Sequence, residues 1–364
     1  MYSEKLLRWL KKKNLLSQAK SNSKIFKKVL KESMGLNNEE LLIIGDYGSF
    51  KKRISPILTG SYYLAAKSLG LKVKLVMQGI KDASKDADME VIQALKALPV
   101  KKSAVVVNVS NKIGGFKGLG RSFRRYMKYK NSRFVSTSGL GSLRTSKIFS
   151  IIKAYDIDYN KLKIKQAILK KELDKARLVR FVTKAGTDIT FDVQGNKSIS
   201  IDGDYKNNFQ GGNLPAGEVY IAPKLNGANG ILVIDGSSRV SEGTILIKKP
   251  ITMIVRNGSV ISIKGGLEAR YLSWTLSKAM RRAKKFVNVK KLAEIGIGMN
   301  PKANIVGAMV VDEKSYGTVH IALGSNYWFG GPVRSLVHLD QVMKDPKVYI
   351  DGKLFNMPKK RDLI

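Results

Sequence analysis

Apolar and polar positions along this chain fall into two textures, which change near its middle. Residues 4–33 carry Leu6, Leu7, Leu10, Ile25, Phe26, Val29 and Leu30 at helical spacing with lysines between, which predicts a helix. LLIIG (41–45), KVKLVM (72–77) and SAVVVNVS (103–110) predict strands, and RFVSTS predicts a fourth, shorter one. Between them SPILTGSYYLAAKSLG (55–70), DADMEVIQALKAL (86–98) and GRSFRRYMKYKN (120–131) predict helices. The first of these has Pro56 near its start and Gly70 just past its end. Alternation of this kind builds a mostly parallel sheet with covering helices.

After a helix over KLKIKQAILKKELDKA (161–176), strand-like runs follow in quick succession, separated by Gly, Asn and Asp turns. They are RFVTKA, DITFDV, SISIDG, GEVYIA, GILVIDG, GTILIKK and ITMIVRNGSV, the last with Asn257-Gly258 as a type I′ hairpin signal. One helix, ARYLSWTLSKAMRRAKKF (269–286), interrupts this barrel- or sandwich-like half. The expected organisation is an α/β domain with a mostly parallel sheet over 1–165. A mainly antiparallel β (α+β) domain follows over 166–364, the boundary falling near 155–175.

No run approaches the ~18 apolar residues of a membrane span, and the basic N-terminus lacks the apolar core of a secretory signal. A cytoplasmic protein without a membrane partner is expected. The absence of cysteine removes disulfides, thiolate ligands and a cysteine nucleophile. The net charge of +38, from 66 Lys and Arg against 28 Asp and Glu, favours contact with polyanions. A general lysine bias explains it more simply, since no nucleic-acid-binding signature of the usual kinds occurs. The best segment for nonspecific nucleic-acid contact combines Lys117, Arg121, Arg124, Arg125, Lys128 and Lys130 with Phe116, Phe123, Tyr126 and Tyr129. A solvated helix face with some core aromatics is the simpler reading. GGFKGLG (114–120) fits neither the dinucleotide nor the P-loop spacing, so a plain loop is the simpler reading there.

The basic bias lapses over 292–342, which holds three cations (Lys302, Lys314, Arg334) and four acids (Glu294, Asp312, Glu313, Asp340). Both histidines of the chain, His320 and His338, lie there. In TVHIAL, strand periodicity turns Val319, Ile321 and Leu323 one way and His320 the other. In SLVHLD the same period puts His338 and Asp340 side by side, ready to share an ion. Structural histidines explain the pattern equally well at this point. Two further acids stand alone in apolar surroundings, Glu294 in LAEIGIG and Glu218 in NLPAGEVYIAP. Each either points outward or is held by a cation.

The succession NLPAGEVYIAP (213–223), LAEIGIGMNP (292–301), GTVHIALGSNYWFGG (317–331) and VHLD (337–340) resembles the thermophilic aminopeptidase (aminopeptidase T) family of metallopeptidases. The resemblance implies a homodimeric metallo-aminopeptidase acting on peptides, with two divalent ions (Zn, Co or Mn) activating a water. The family's ligands fall on Glu218, Glu294, His320, Tyr327, His338 and Asp340, with Glu218, Glu294 and Tyr327 in catalytic roles. Two departures are visible: where characterised aminopeptidases read Thr-Glu-Glu-Val, this chain has Ala216-Gly217-Glu218-Val219, and the spacing between His320 and His338 is short, as a trimmed loop would make it. Relatives of the same fold include an iron-dependent dihydroxypyridine ring-cleaving dioxygenase. By that resemblance His320, His338 and Asp340 form a mononuclear Fe(II) triad, and Glu218 and Glu294 are dispensable. A third reading is an inactive family member that binds RNA or the ribosome through its basic N-terminal half.

Overall fold

In the computed structural model, which describes residues 2–82, 85–120, 122–283 and 288–364, the two textures become two kinds of sheet. The chain divides into two compact units: Met1–Tyr159 with Gly203–Ala216, and Asn160–Asp202 with Gly217–Ile364. The first unit runs α1 (Tyr2–Lys12), α2 (Leu16–Lys28), β1 (Glu40–Asp46), α3 (Ile54–Ser68), β2 (Val73–Gln78), α4 (Met89–Lys96), β3 (Ser103–Asn108), α5 (Phe123–Lys130), β4 (Arg133–Thr137) and α6 (Ile148–Tyr155). Its strands pair in parallel in the order β2-β1-β3-β4. β3 is buried along its whole length, as a strand covered on both faces must be.

The helix expected over 4–33 is instead two helices and a π-helical turn, Val29–Ser33. Asn14 takes a left-handed φ of 57°, which its short polar side chain tolerates and which ends α1. Part of the basic-aromatic segment is packed into the fold, while Lys117, Arg124, Arg125, Lys128 and Tyr129 are exposed. Phe116 and Tyr126 are buried, Phe123 meets Phe134 edge-on at 5.1 Å, and Lys130 Nζ donates to the carbonyls of Lys96 and Leu98 at the end of α4. Arg121 lies outside the described residues. Gly114 and Gly115 are there for close backbone approach: a Cβ on Gly114 would stand 2.5 Å from the Ala87 amide nitrogen.

The second unit opens with α7 (Tyr159–Lys175), β5 (Leu178–Thr183), β6 (Asp188–Asp192) and β7 (Ile199–Ile201). The chain then supplies β8 (Gly211–Asn213) as a fifth, parallel strand beside β4 in the first unit's sheet. It continues with β9 (Glu218–Ile221), β10 (Ala228–Ile234), β11 (Ser237–Val240), β12 (Gly243–Leu246), β13 (Ile251–Arg256), β14 (Ser259–Lys264) and α8 (Leu267–Arg282). Last come β15 (Leu292–Gly298), α9 (Met309–Asp312), β16 (Thr318–Gly324), β17 (His338–Lys344), β18 (Pro346–Ile350) and β19 (Lys353–Leu354). The helix expected over 269–286 ends at Arg282, and 284–286 lie outside the described residues.

Two antiparallel sheets result, ordered β14-β13-β10-β6-β5-β18-β19 and β12-β11-β17-β16-β15-β9-β7. Asn257 and Gly258 both have positive φ, 46° and 67°, as the type I′ turn between β13 and β14 demands. Among the described residues, no helix is long and apolar enough to cross a membrane.

Candidate metal centre

Four neighbouring strands, β17, β16, β15 and β9, carry the acids and histidines on one face. Cross-strand pairing puts Glu294, Ala322 and Asp340 in one row and Gly296, His320 and Val342 in the next, with Glu218 opposite Gly298 and His338 opposite Gly324. The period of two turns Ile295, Ile297, Val319, Ile321 and Leu323 to the other face, where all are buried. Strands ~4.8 Å apart separate the Glu294 and Asp340 backbones by about 10 Å. The small Ala322 between them leaves space for both carboxylates to converge. Gly296 serves His320 in the same way, because a Cβ there would stand 2.1 Å from the ring Nε2.

Glu294, His338 and Asp340 offer ligand atoms that all lie within 4.8 Å of one another. His338 Nε2 is 3.1 Å from Asp340 Oδ1 and 3.5 Å from Glu294 Oε2. Its other nitrogen, Nδ1, donates to the Ser325 carbonyl at 2.8 Å. That bond fixes the tautomer and aims Nε2 at the acids, the arrangement usual for a metal-ligating histidine. His320 sits deeper and fully buried, with Nε2 3.3 Å from Glu294 Oε1 and 3.5 Å from Glu218 Oε2. Beyond it lies a buried ammonium: Lys314 Nζ donates to Glu218 Oε1 at 3.0 Å and to Glu313 Oε1. The His338 side chain is 22% exposed against 0% for His320 and Lys314, so the cluster opens at its His338 end.

Electrostatics follow from this packing. Burial alone would lower His338, but Asp340 and Glu294 outweigh it and raise its pKa to about 10. Burial works against the Asp340 charge, yet His338 brings that carboxyl down to about 2. His320 rises to about 9 against its burial, through its bond to Glu294 and the charge of Glu218. Burial raises Glu294, and raises Glu313 to about 8 despite Lys314 beside it. Lys314 is itself raised, since Glu218 and Glu313 outweigh its desolvation. The raised histidines hold their protons in this cluster, and a divalent ion held there would require them to be given up.

One nitrogen and two carboxylate oxygens, with the histidine's second nitrogen anchored, suit a single divalent ion. The expected pair of Zn, Co or Mn ions is not supported, because the carboxylates a second ion would need, Glu218 and Glu313, already share the Lys314 ammonium. His320 faces Glu294 and Glu218. Tyr327 lies in a short 3₁₀ turn, 45% exposed, with the Arg334 guanidinium 4.5 Å from its ring centre.

Gly217, which stands where an aminopeptidase has an acid, has φ +130°, and a Cβ there would lie 2.4 Å from Asn300 Cβ. No second acid fits. Gly217→Glu is expected to destabilise the protein by about 1–3 kcal/mol from backbone strain alone, read as a lower melting temperature, and to confer no peptide hydrolysis. An unchanged melting temperature would contradict this account.

A sequence profile of the family described as NicX, 2,5-dihydroxypyridine 5,6-dioxygenase, matches residues 154–356, a span holding every member of the cluster. The chain belongs to that family. The curated 2,5-dihydroxypyridine 5,6-dioxygenase of Pseudomonas putida KT2440 is 26% identical over 193 residues, 50% of this chain and 53% of that protein. The chain thus spans about half the length of this curated relative. The solved structure of the P. putida dioxygenase matches with TM-score 0.71 at 18% identity, covering 93% of this chain and 98% of that one. Wild-type AmpT from Thermus thermophilus matches with TM-score 0.61 at 14% identity over 93% and 98% of the two chains. At these identities the structural likenesses show the fold alone.

Family membership corrects the aminopeptidase reading, and with it the hydrolase and protease assignment. The misleading motifs have a structural origin. AGEV, AEIGIG and VHIALG enter β9, β15 and β16, where small residues make room for the cluster, so they mark the sheet more than the reaction. Sequence reasoning also passed over Glu313, Lys314, Ser325, Trp328 and Phe329. A charged Asp-Glu-Lys triplet at the end of the apolar run AMVV was the available signal for the first two. The aromatics flank the open side: Trp328 meets the His338 ring at 4.9 Å, T-shaped, and Phe329 stands 6.4 Å from it.

Proposed function

We propose that the chain is a mononuclear Fe(II) dioxygenase that opens the ring of a dihydroxylated nitrogen heteroaromatic. The observation that carries this reading is the Glu294, His338 and Asp340 triad, open on the side lined by Trp328 and Phe329. Membership of a ring-cleaving dioxygenase family supports it. The three side chains would hold the ion, with Glu294 in the place first assigned to His320. When bound, iron supplies the one-electron chemistry that lets O₂ react with a ring.

The chain's own residues do the rest. Ser325 holds His338 in one tautomer, and His320, bonded to Glu294, orients that carboxylate. Trp328 and Phe329, beside the His338 ring, would offer aromatic contact to a planar substrate. Trp328 is half exposed, so its replacement spares the core. Trp328→Ala is expected to raise KM roughly 2- to 10-fold, as loss of a ~0.5–1.5 kcal/mol aromatic contact requires, with kcat nearly constant. A fall confined to kcat would remove Trp328 from binding.

The decisive experiment loads purified protein with Fe²⁺ anaerobically and adds dihydroxypyridines under O₂. Oxygen uptake matched to loss of the ring's ultraviolet absorbance is the expected result. Iron bound at one per chain, with no uptake on any dihydroxylated heteroaromatic, overturns the proposal.

A further inference from the structure

We infer that Lys314 is a resident cation standing in for a second metal ion, and that it keeps the centre mononuclear. The inference rests on the one-ion reading above and deepens it. Lys314 is fully buried, which is rare for lysine unless it is paired. Its ammonium lies 3.0 Å from Glu218 Oε1 and also bonds Glu313 Oε1. The second oxygen of Glu218 is buried without a hydrogen-bond partner, 3.5 Å from His320 Nε2, and His320 Nδ1 is unpartnered as well. Two carboxylates and an imidazole gathered in this way form a donor set that divalent ions take.

The backbone holds the lysine in place. The Lys314 carbonyl accepts from the Asn300 amide at 2.8 Å, and Tyr316 donates to the Asn300 carbonyl at 3.0 Å. Gly298 admits this segment beside the end of β15, because a Cβ there would lie 2.2 Å from the Ser315 carbonyl oxygen. The ammonium is therefore a fixed charge that offers no vacant orbital. It sets a positive charge between two buried acids, in the place a second divalent ion would take. Removing it leaves Glu218, Glu313 and His320 to recruit an ion.

The test compares wild type with Lys314→Met after loading with Mn²⁺ and desalting, counting metal per chain by elemental analysis. K314M is expected to hold one ion more than wild type. A folded K314M with the same count overturns the inference. The wild-type count itself tests the one-ion reading separately, since the inference is read only from the difference. If K314M is unfolded in metal-free buffer, millimolar Mn²⁺ is expected to restore its far-ultraviolet circular dichroism. Failure to do so overturns the inference. The E313Q/K314M double variant, which removes one acid with the ammonium, is expected to gain an ion more weakly, and a folded form that gains none also counts against it.

Discussion

Asp340→Asn is expected to strip the centre of its metal and to abolish ring opening. Its neighbour His338 lies 3.1 Å away, and the pair shares one face of β17 with Glu294 converging from β15. The Asp340 carboxyl is held down to about 2, so it is ionised at every pH at which the protein would be assayed, and the amide removes a full charge. Metal affinity should fall by more than the ~10–100-fold that loss of an outer hydrogen-bond partner costs. The amide keeps the size of the side chain and the strand pairing with Ala322, so the metal-free fold should persist. Calorimetric titration with Fe²⁺ or Mn²⁺ beside circular dichroism makes the comparison. Wild-type affinity in a folded D340N would remove Asp340 from the site.

The second large effect separates two triads that share His338 and Asp340. Glu294→Gln should cost at least ~100-fold in metal affinity if Glu294 is a ligand, and His320→Gln about 10-fold if His320 only orients it. The basis is geometric. Glu294 carries an oxygen within 4.8 Å of both other ligand atoms, whereas His320 Nε2 is engaged with Glu294 and Glu218. The reverse order of losses would restore the His320, His338, Asp340 triad and make Glu294 the positioning group. Both substitutions are buried, so each titration needs a melting curve for the metal-free variant beside it.

Much of this architecture was legible in advance. Short, β-branched apolar runs such as SAVVVN suit a strand covered on both faces, and alternating runs such as DITFD a sheet with one face inward. The aminopeptidase assignment failed for a related reason. Its motifs report which small residues line the cluster, and relatives that share the sheet share them whatever reaction they carry out. The return of the chain to lay β8 beside β4 left no comparable mark, since Gly211–Asn213 is too short for any periodicity to show.

What the sequence determined by itself is the face on which each functional residue sits. Period two places His338 with Asp340 and sets His320 apart from its apolar neighbours, because successive strand side chains alternate by covalent geometry. Which residues meet across strands was decided only by tertiary structure. Glu294 reaches Asp340 over Ala322, and Lys314 reaches Glu218, through pairings between segments far apart in the chain. Register of that kind is set by the summed burial of whole strands and by turn geometry. No local stretch carries that information, so which acids and histidines meet could be read only from the folded sheet.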